Sequence, residues 1–170
     1  MLTDPADCGP VTLGLCQDVQ AEAWDYPESF FAPRVWHMRR ISPDAAELSR
    51  AIEILKSAKR PMIVAGGGVR YSGASQALTA FADAAGIPVA ATQAGKSSLV
   101  EAHPMYVGSL GVTGASAANN LAAKADVVLS VGSRLQDFTT GSNSLISGQV
   151  VALNVQPHDL VKHGAMPLMA

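Results

Sequence analysis

ADVVLSVGSRLQDFTTG, residues 125–141, contains an apolar run, Val127-Val128-Leu129-Ser130-Val131, with no polar alternation. The run stops at Gly132-Ser133, and Arg134 follows at once. A strand buried on both faces reads this way, and such strands belong to parallel sheets sandwiched between helices. Ligands of open parallel sheets sit beyond the carboxyl ends of the strands. The sequence therefore places Gly132, Ser133 and Arg134 where a small anionic ligand would be met.

The neighbouring segments repeat the pattern. Pro61-Met62-Ile63-Val64-Ala65 reads as a buried strand ending in Gly66-Gly67-Gly68. Ile87-Pro88-Val89-Ala90-Ala91 is a second, with its proline near the start, where proline is tolerated. Gln149 to Asn154 is another, and Pro167-Leu168-Met169 is a last short apolar piece. Helical segments alternate with these. Ser42 reads as an N-cap, Pro43 as the first helical residue and Asp44 as an acid at the positive helix end. Leu48, Ala51, Ile52, Leu55 and Ala58 then share one face. A helix from about Ser72 carries Ala74, Ala77, Leu78, Phe81 and Ala85 on one face and stops at Gly86. A third runs from Ala115 to Lys124, after a long Gly-rich loop over 92–114. This alternation predicts a three-layer, Rossmann-like α/β fold: a parallel sheet of about six strands, right-handed crossovers and helices on both faces.

The first part of the chain differs. Residues 10–16 alternate partly and read as a strand. The stretch 17–41 holds both tryptophans, Trp24 and Trp36, with Tyr26, Phe30 and Phe31, and has no clean period. It reads as a linker between domains, so that 1–19 would close an upstream domain, 20–41 connect, and 42–170 form a central domain ending before its last helix.

The 170 residues suit about one domain. Hydrophobic residues make up 48%, enough for one core, and charged residues only 15%. Surface covered by other domains and an Ala-rich composition both account for so few charges. The net charge of −2, without a basic cluster beyond Arg39-Arg40, excludes the footprint of a nucleic-acid binder. No apolar run approaches the ~20 residues of a membrane helix, and the N-terminus shows no signal peptide. Cys8 and Cys16 read as reduced thiols of a cytoplasmic protein.

Three motifs bear on chemistry. Gly66-Gly67-Gly68 would let a phosphate approach a helix, but G-x-G-x-x-G needs glycine at position 71, where Tyr71 stands. The next strand ends in Ala91-Thr92-Gln93, without the acid that holds a ribose. Gly95-Lys96-Ser97 resembles a P-loop, yet Ala90 occupies the first glycine position and Pro104 leaves little room for the long helix. His37, His103, His158 and His163 lack metal-ligand spacing and read as surface or capping residues. Arg134 has two readings: an ion pair with Asp137, or a guanidinium facing a diphosphate. No complete catalytic constellation occurs.

Five segments in order resemble the central domain of thiamine-diphosphate-dependent enzymes, the acetolactate synthase and pyruvate decarboxylase superfamily. They are GPVTLGLCQDV (9–19), RPMIVAGGGV (60–69), GIPVAATQAGKSSLVEAHPMYVGSLGVTG (86–114), ADVVLSVGSRLQDFTTG (125–141) and VVALNVQP (150–157). QDVQAEAWDYPESFF (17–31) and TQAGKS (92–97) look most like the trihydroxycyclohexanedione hydrolase branch of myo-inositol degradation. The resemblance implies a DHS-like NAD/FAD-binding fold for this domain. For the full-length enzyme it implies a hydrolase that uses thiamine diphosphate and magnesium to open a cyclic diketone to 5-deoxyglucuronate. Both groups would be held outside this chain, by flanking pyrimidine- and diphosphate-binding domains, in a homo-oligomer (dimer or tetramer). In flavin-binding relatives, FAD meets turns that match Gly67, Gly68, Thr92, Gly111, Val112, Thr113, Gly132, Ser133 and Arg134. These nine are the candidate residues for an FAD- or ADP-like ligand, and an FAD/ADP-binding acetolactate synthase-like domain is the alternative reading.

Overall fold

The structure, a computed structural model, describes residues 3–170; Met1 and Leu2, at the start of the expected upstream segment, lie outside the described residues. The chain divides into two units, Met1–Arg40 and Ile41–Ala170.

The second unit is built on a six-stranded parallel sheet. Its strands are β1 (Pro61–Ala65), β2 (Val89–Ala91), β3 (Tyr106–Ser109), β4 (Val127–Val131), β5 (Gln149–Asn154) and β6 (Met166–Met169). They lie in the order β3-β2-β1-β4-β5-β6. Every pairing is parallel, with Val64 registered between Ala90 and Ser130. The strand order reverses between β1 and β4, which makes that gap the topological switch point. The helices are α1 (Ala45–Ser57), α2 (Gly67–Tyr71), α3 (Ser75–Ala85), α4 (Ser116–Lys124), α5 (Asp137–Thr140) and α6 (Pro157–Leu160). Ala51 of α1 and Leu78 and Ala82 of α3 pack with Ile63, Val89, Leu129 and Val151 on one sheet face. Ala118 and Ala122 of α4 pack with Met62, Val64, Val128 and Val150 on the other. The expected three layers are present. Full burial of side chains such as Ile63 and Val128, both at 0% exposure, contributes about 1.5–3 kcal/mol each.

Several local expectations shift. Helix α1 is capped by Asp44, not Ser42: the Asp44 carboxylate accepts the N–H groups of Ala46 and Glu47 at 2.8 and 3.0 Å. An aspartate that satisfies two orphan donors outcompetes a serine two residues earlier. The buried stripe of α1 centres on Ala51, and Leu48 and Ile52 remain exposed. On α3 the buried residues are Leu78 and Ala82, while Phe81 faces out. The helix expected from Ser72 is split: α2 begins at Gly67, and Gly73 (φ 71°) breaks it before α3. Gly86, at φ 63°, ends α3 as expected. Edge strand β3 lies inside the segment expected to be loop. Strand β6 is not left bare, because α1 packs on it and Glu47 accepts the Met169 N–H at 3.2 Å.

At the amino end of the sheet, the Asp126 carboxylate accepts the N–H groups of Lys59 and Arg60 at 2.7 and 2.9 Å. Partial desolvation works to raise its pKa, but these backbone donors outweigh it and hold the carboxyl below the usual aspartate value.

In the first unit, Pro10–Cys16 forms no strand, because no partner strand supplies the ladder within the unit. Among its described residues, two short 3₁₀ turns, Val19–Ala21 and Glu28–Phe31, are the regular structure. Tyr26, Phe30 and Phe31 stack on one another, with centroids 4.9 to 6.2 Å apart. Trp24 and Trp36 are exposed. Asp4 pairs with Arg39. Cys8 and Cys16 form no disulfide.

Candidate functional site

The nine candidate residues all follow carboxyl ends of strands. Gly67 and Gly68 follow β1, Thr92 follows β2, Gly111 to Thr113 follow β3, and Gly132 to Arg134 follow β4. This places them at the end of the sheet where ligands of such folds bind.

At the switch point the two glycine turns touch. The Gly66 N–H donates to the Val131 carbonyl at 2.8 Å, and the Gly68 N–H to the Gly132 carbonyl at 3.0 Å. The Gly132 N–H in turn donates to the Leu153 carbonyl at 2.8 Å. A Cβ placed on Gly66 would stand 2.3 Å from the Gly132 oxygen, and one on Gly132 would stand 2.6 Å from the Gly68 Cα. Gly132 also has φ 59°, a conformation only glycine adopts without cost. The glycines are therefore required by backbone-to-backbone packing.

The other turns are bound internally as well. The Thr92 N–H donates to the Ala65 carbonyl, and its buried hydroxyl accepts the Gly95 N–H at 3.1 Å. A Cβ on Gly95 would lie 1.9 Å from the Ala65 oxygen, so the P-loop-like Gly95 packs on the end of β1. Gly111 is held at both ends by one amide: Asn119 accepts its N–H and donates to its carbonyl. The Val112 N–H donates to the Phe138 carbonyl of α5 at 2.8 Å. The Val112 and Thr113 side chains are exposed.

The β4 turn is held from the opposite side. Asn154 Nδ2 donates to the Ser133 carbonyl at 3.0 Å, Lys162 Nζ to the Arg134 carbonyl at 3.4 Å, and His163 Nε2 to the Leu135 carbonyl at 2.9 Å. The buried Ser133 hydroxyl accepts the Leu135 N–H. Lys162 is also paired with Asp159. The Arg134 side chain is exposed and makes no ion pair among the described residues, so the ion pair with Asp137, one of its two readings, does not form. A cavity of about 580 Å³ beside this turn is lined by Leu135, Gln136, Asp137, Phe138, Lys162 and His163.

Asn119, Asn154, Lys162 and His163, the residues that shape these turns, were not foreseen. An asparagine at the end of a buried strand was the available signal in Asn154, since a polar side chain there must find a partner. Of the four histidines expected at the surface or in capping positions, His37, His158 and His163 are exposed and His103 takes the capping role. His103 is largely buried: its Nδ1 accepts the Met105 N–H, and its Nε2 lies 3.3 Å from the Asp83 carboxylate. A ring nitrogen that accepts an N–H carries no proton, which leaves Nε2 as the donor to Asp83.

Among the described residues, no group of three His, Cys, Asp or Glu side chains could hold a metal ion. No helix among them is long and apolar enough to cross a membrane. Among the nine candidate residues, the N–H groups of Gly68, Thr92, Gly111, Val112 and Gly132 are bonded within the chain, and those of Gly67, Thr113, Ser133 and Arg134 are not.

Comparison with known proteins gives the family. The profile of the thiamine pyrophosphate enzyme central domain matches residues 48–170. The 3D-(3,5/4)-trihydroxycyclohexane-1,2-dione hydrolase of Geobacillus thermodenitrificans (strain NG80-2) is 46% identical over 171 residues, covering 100% of this chain and 27% of that protein. The enzymes of the same name from Bacillus thuringiensis (strain Al Hakam) and Bacillus cereus (strain 03BB102) are 44% identical over 173 residues, with the same coverage. The chain thus spans about a quarter of the length of these relatives. A Mycobacterium smegmatis protein assigned as a thiamin diphosphate-dependent enzyme superposes with a TM-score of 0.60 at 26% identity, covering 79% of this chain and 27% of its own. The sheet order, the paired glycine turns and these matches together show that the chain belongs to the thiamine pyrophosphate enzyme family, as its central domain.

Proposed function

We propose that the full-length protein is a thiamine-diphosphate- and magnesium-dependent hydrolase that opens a trihydroxycyclohexane-1,2-dione to 5-deoxyglucuronate in inositol degradation. This chain is its central, scaffolding domain. The observation that carries the reading is the 44–46% identity to enzymes of that name over the whole chain, including residues ahead of the central-domain match. The proposal extends to cytoplasmic location, to flanking pyrimidine- and diphosphate-binding domains that hold the cofactor, and to assembly as a dimer or tetramer.

The reaction is a redox-neutral hydrolysis. The bond between the two carbonyl carbons breaks; one carbon takes the hydroxyl of water and becomes a carboxylate, and the other takes its proton and becomes an aldehyde. Thiamine diphosphate supplies the electron sink that lets this bond break. The residues of this chain supply no acid, base or nucleophile to that step. They hold a rigid sheet against which neighbouring domains are placed. This scaffolding role is supported by the two-sided core and by turns whose polar groups bond one another.

The test is turnover of the diketone by the full-length protein with thiamine diphosphate and magnesium, followed by formation of the aldehyde-acid. The expected result is turnover by the full-length protein, and neither turnover nor thiamine diphosphate binding by residues 1–170 alone. Turnover by the isolated chain would overturn the assignment of a scaffolding role.

A further inference from the structure

We infer that the carboxyl-end turns of this domain form a closed seam that joins the two halves of the sheet and gives no seat to FAD or ADP. A diphosphate at a switch point needs free backbone donors and room for close approach. Here five of the nine candidate amides are already bonded within the chain, and the two glycine turns of the switch point pack against each other.

The donors come first. Of the turn amides, Gly66, Gly68 and Gly132 donate to Val131, Gly132 and Leu153. Gly111, Val112 and Leu135 donate to Asn119, Phe138 and Ser133. The Thr92 N–H is taken by the Ala65 carbonyl. Three successive carbonyls, those of Ser133, Arg134 and Leu135, are each held by a different side chain from Asn154, Lys162 and His163. That latch fixes the direction of the whole turn. It also holds two non-glycine residues in the left-handed region, Leu135 at φ 43° and His163 at φ 58°, at the two ends of one hydrogen bond. Such conformations persist only where the surroundings over-determine them.

Room is the second lack. The β1 and β4 turns approach so closely that a single methyl on Gly66 or Gly68 would meet Gly132 backbone atoms at 2.3 or 2.7 Å. The cavity beyond the turn has an Asp137 carboxylate on its wall, which opposes a diphosphate, and its Lys162 is already paired with Asp159. What remain free among the candidate residues are the N–H groups of Gly67, Thr113, Ser133 and Arg134, with the Arg134 guanidinium in solvent, where a single cation gives little affinity. Of the glycines that match flavin-contacting turns in relatives, Gly68, Gly111 and Gly132 are explained by packing against backbone, whereas Gly67 meets only looser contacts, the nearest at 3.3 Å.

Hydrogen exchange on the full-length protein, read on peptides covering Ala65–Val69 and Val131–Gln136, tests this with and without millimolar FAD or ADP as probes. The seam predicts slow exchange at Gly66, Gly68 and Gly132 with no nucleotide present, and no further slowing when either probe is added. It also predicts that Asn154→Ala or Lys162→Ala speeds exchange over Val131–Gln136 by about tenfold or more, while Arg134→Ala changes it little. The two latch variants act independently, so the loss of one to misfolding leaves the other as the test. Fast exchange without nucleotide that slows on adding FAD or ADP would overturn the inference. So would flavin retained through desalting and lost in Arg134→Ala. Neither result depends on whether the diketone is the substrate.

Discussion

Replacing Gly132 by alanine separates the packing role of the turn from its conformational role. Two costs are expected at that position. The first is conformational: φ is 59°, and a left-handed residue with a Cβ costs roughly 1–2 kcal/mol. The second is steric: the Cβ would stand 2.6 Å from the Gly68 Cα and 2.9 Å from its carbonyl carbon, both backbone atoms. Forcing a methyl into a filled site costs about 1–3 kcal/mol, and backbone has less freedom to yield than a side chain. Gly132→Ala should therefore lose about 2–5 kcal/mol. Two controls isolate the parts. Gly86→Ala carries a similar φ of 63° with nothing within 4 Å, so it should lose only about 1–2 kcal/mol. Gly66→Ala has an ordinary extended φ of −98° but meets the Gly132 oxygen at 2.3 Å, so it should lose about 3 kcal/mol by sterics alone. Urea unfolding followed by circular dichroism measures all three. At about 2–4 °C per kcal/mol for a chain of this size, Gly132→Ala should melt roughly 4–20 °C lower than the parent. A Gly132→Ala variant no less stable than Gly86→Ala would refute the seam between the turns.

Asp44→Ala removes the acceptor for two helix N–H groups and should cost about 1 kcal/mol in urea unfolding, whereas Ser42→Ala should be near neutral. The folded pKa of Asp126 is depressed, so its contribution to stability is full above the unfolded aspartate value of about 3.9 and is lost as pH falls through the lower folded value. Asp126→Asn should flatten the acid limb of a stability–pH curve in that window; an unchanged limb would count against the carboxylate's role. The Ser130 hydroxyl is buried in the middle of β4 with no hydrogen-bond partner. Ser130→Ala should therefore leave stability unchanged or raise it by up to about 1 kcal/mol, measured by the shift in urea midpoint.

The strands on which the fold rests were legible because they are buried on both faces. Val127–Val131 and Pro61–Ala65 have the structure's own boundaries, and a continuous apolar run admits few other readings. Strand β3 was not legible. Tyr106-Val107-Gly108-Ser109 is short, lies at the sheet edge and contains Gly108 at φ 99°, and its pairing with β2 shifts register between Val89 and Ala91. Its strand character comes from the neighbour it pairs with. The helix faces were rotated for a related reason: Leu48, Ile52 and Phe81 extend the apolar arc beyond what the sheet covers, and sequence periodicity cannot mark where that cover ends. The positions of the candidate site residues could be read from strand ends. Their bonding could not, because Asn119, Asn154, Lys162 and His163 reach them across sequence gaps of 8 to 28 residues.

Arg134 shows why the distinction matters for function. As a letter after Gly132-Ser133, it reads equally well as an ion-pair partner or as a diphosphate ligand. The structure does not pair it with Asp137, and its turn is held from behind through three carbonyls. A site built for a diphosphate points donors outward and leaves them unsatisfied until the ligand arrives. In this chain Gly66, Gly68 and Gly132 close the gap between β1 and β4, and the buried unsatisfied hydroxyls among the described residues, Ser98 and Ser130, lie elsewhere. A domain that satisfies its own switch point is stiffened there, because opening it would break several backbone hydrogen bonds at once. Rigidity at that end of the sheet is what a central domain needs if its neighbours carry the reaction.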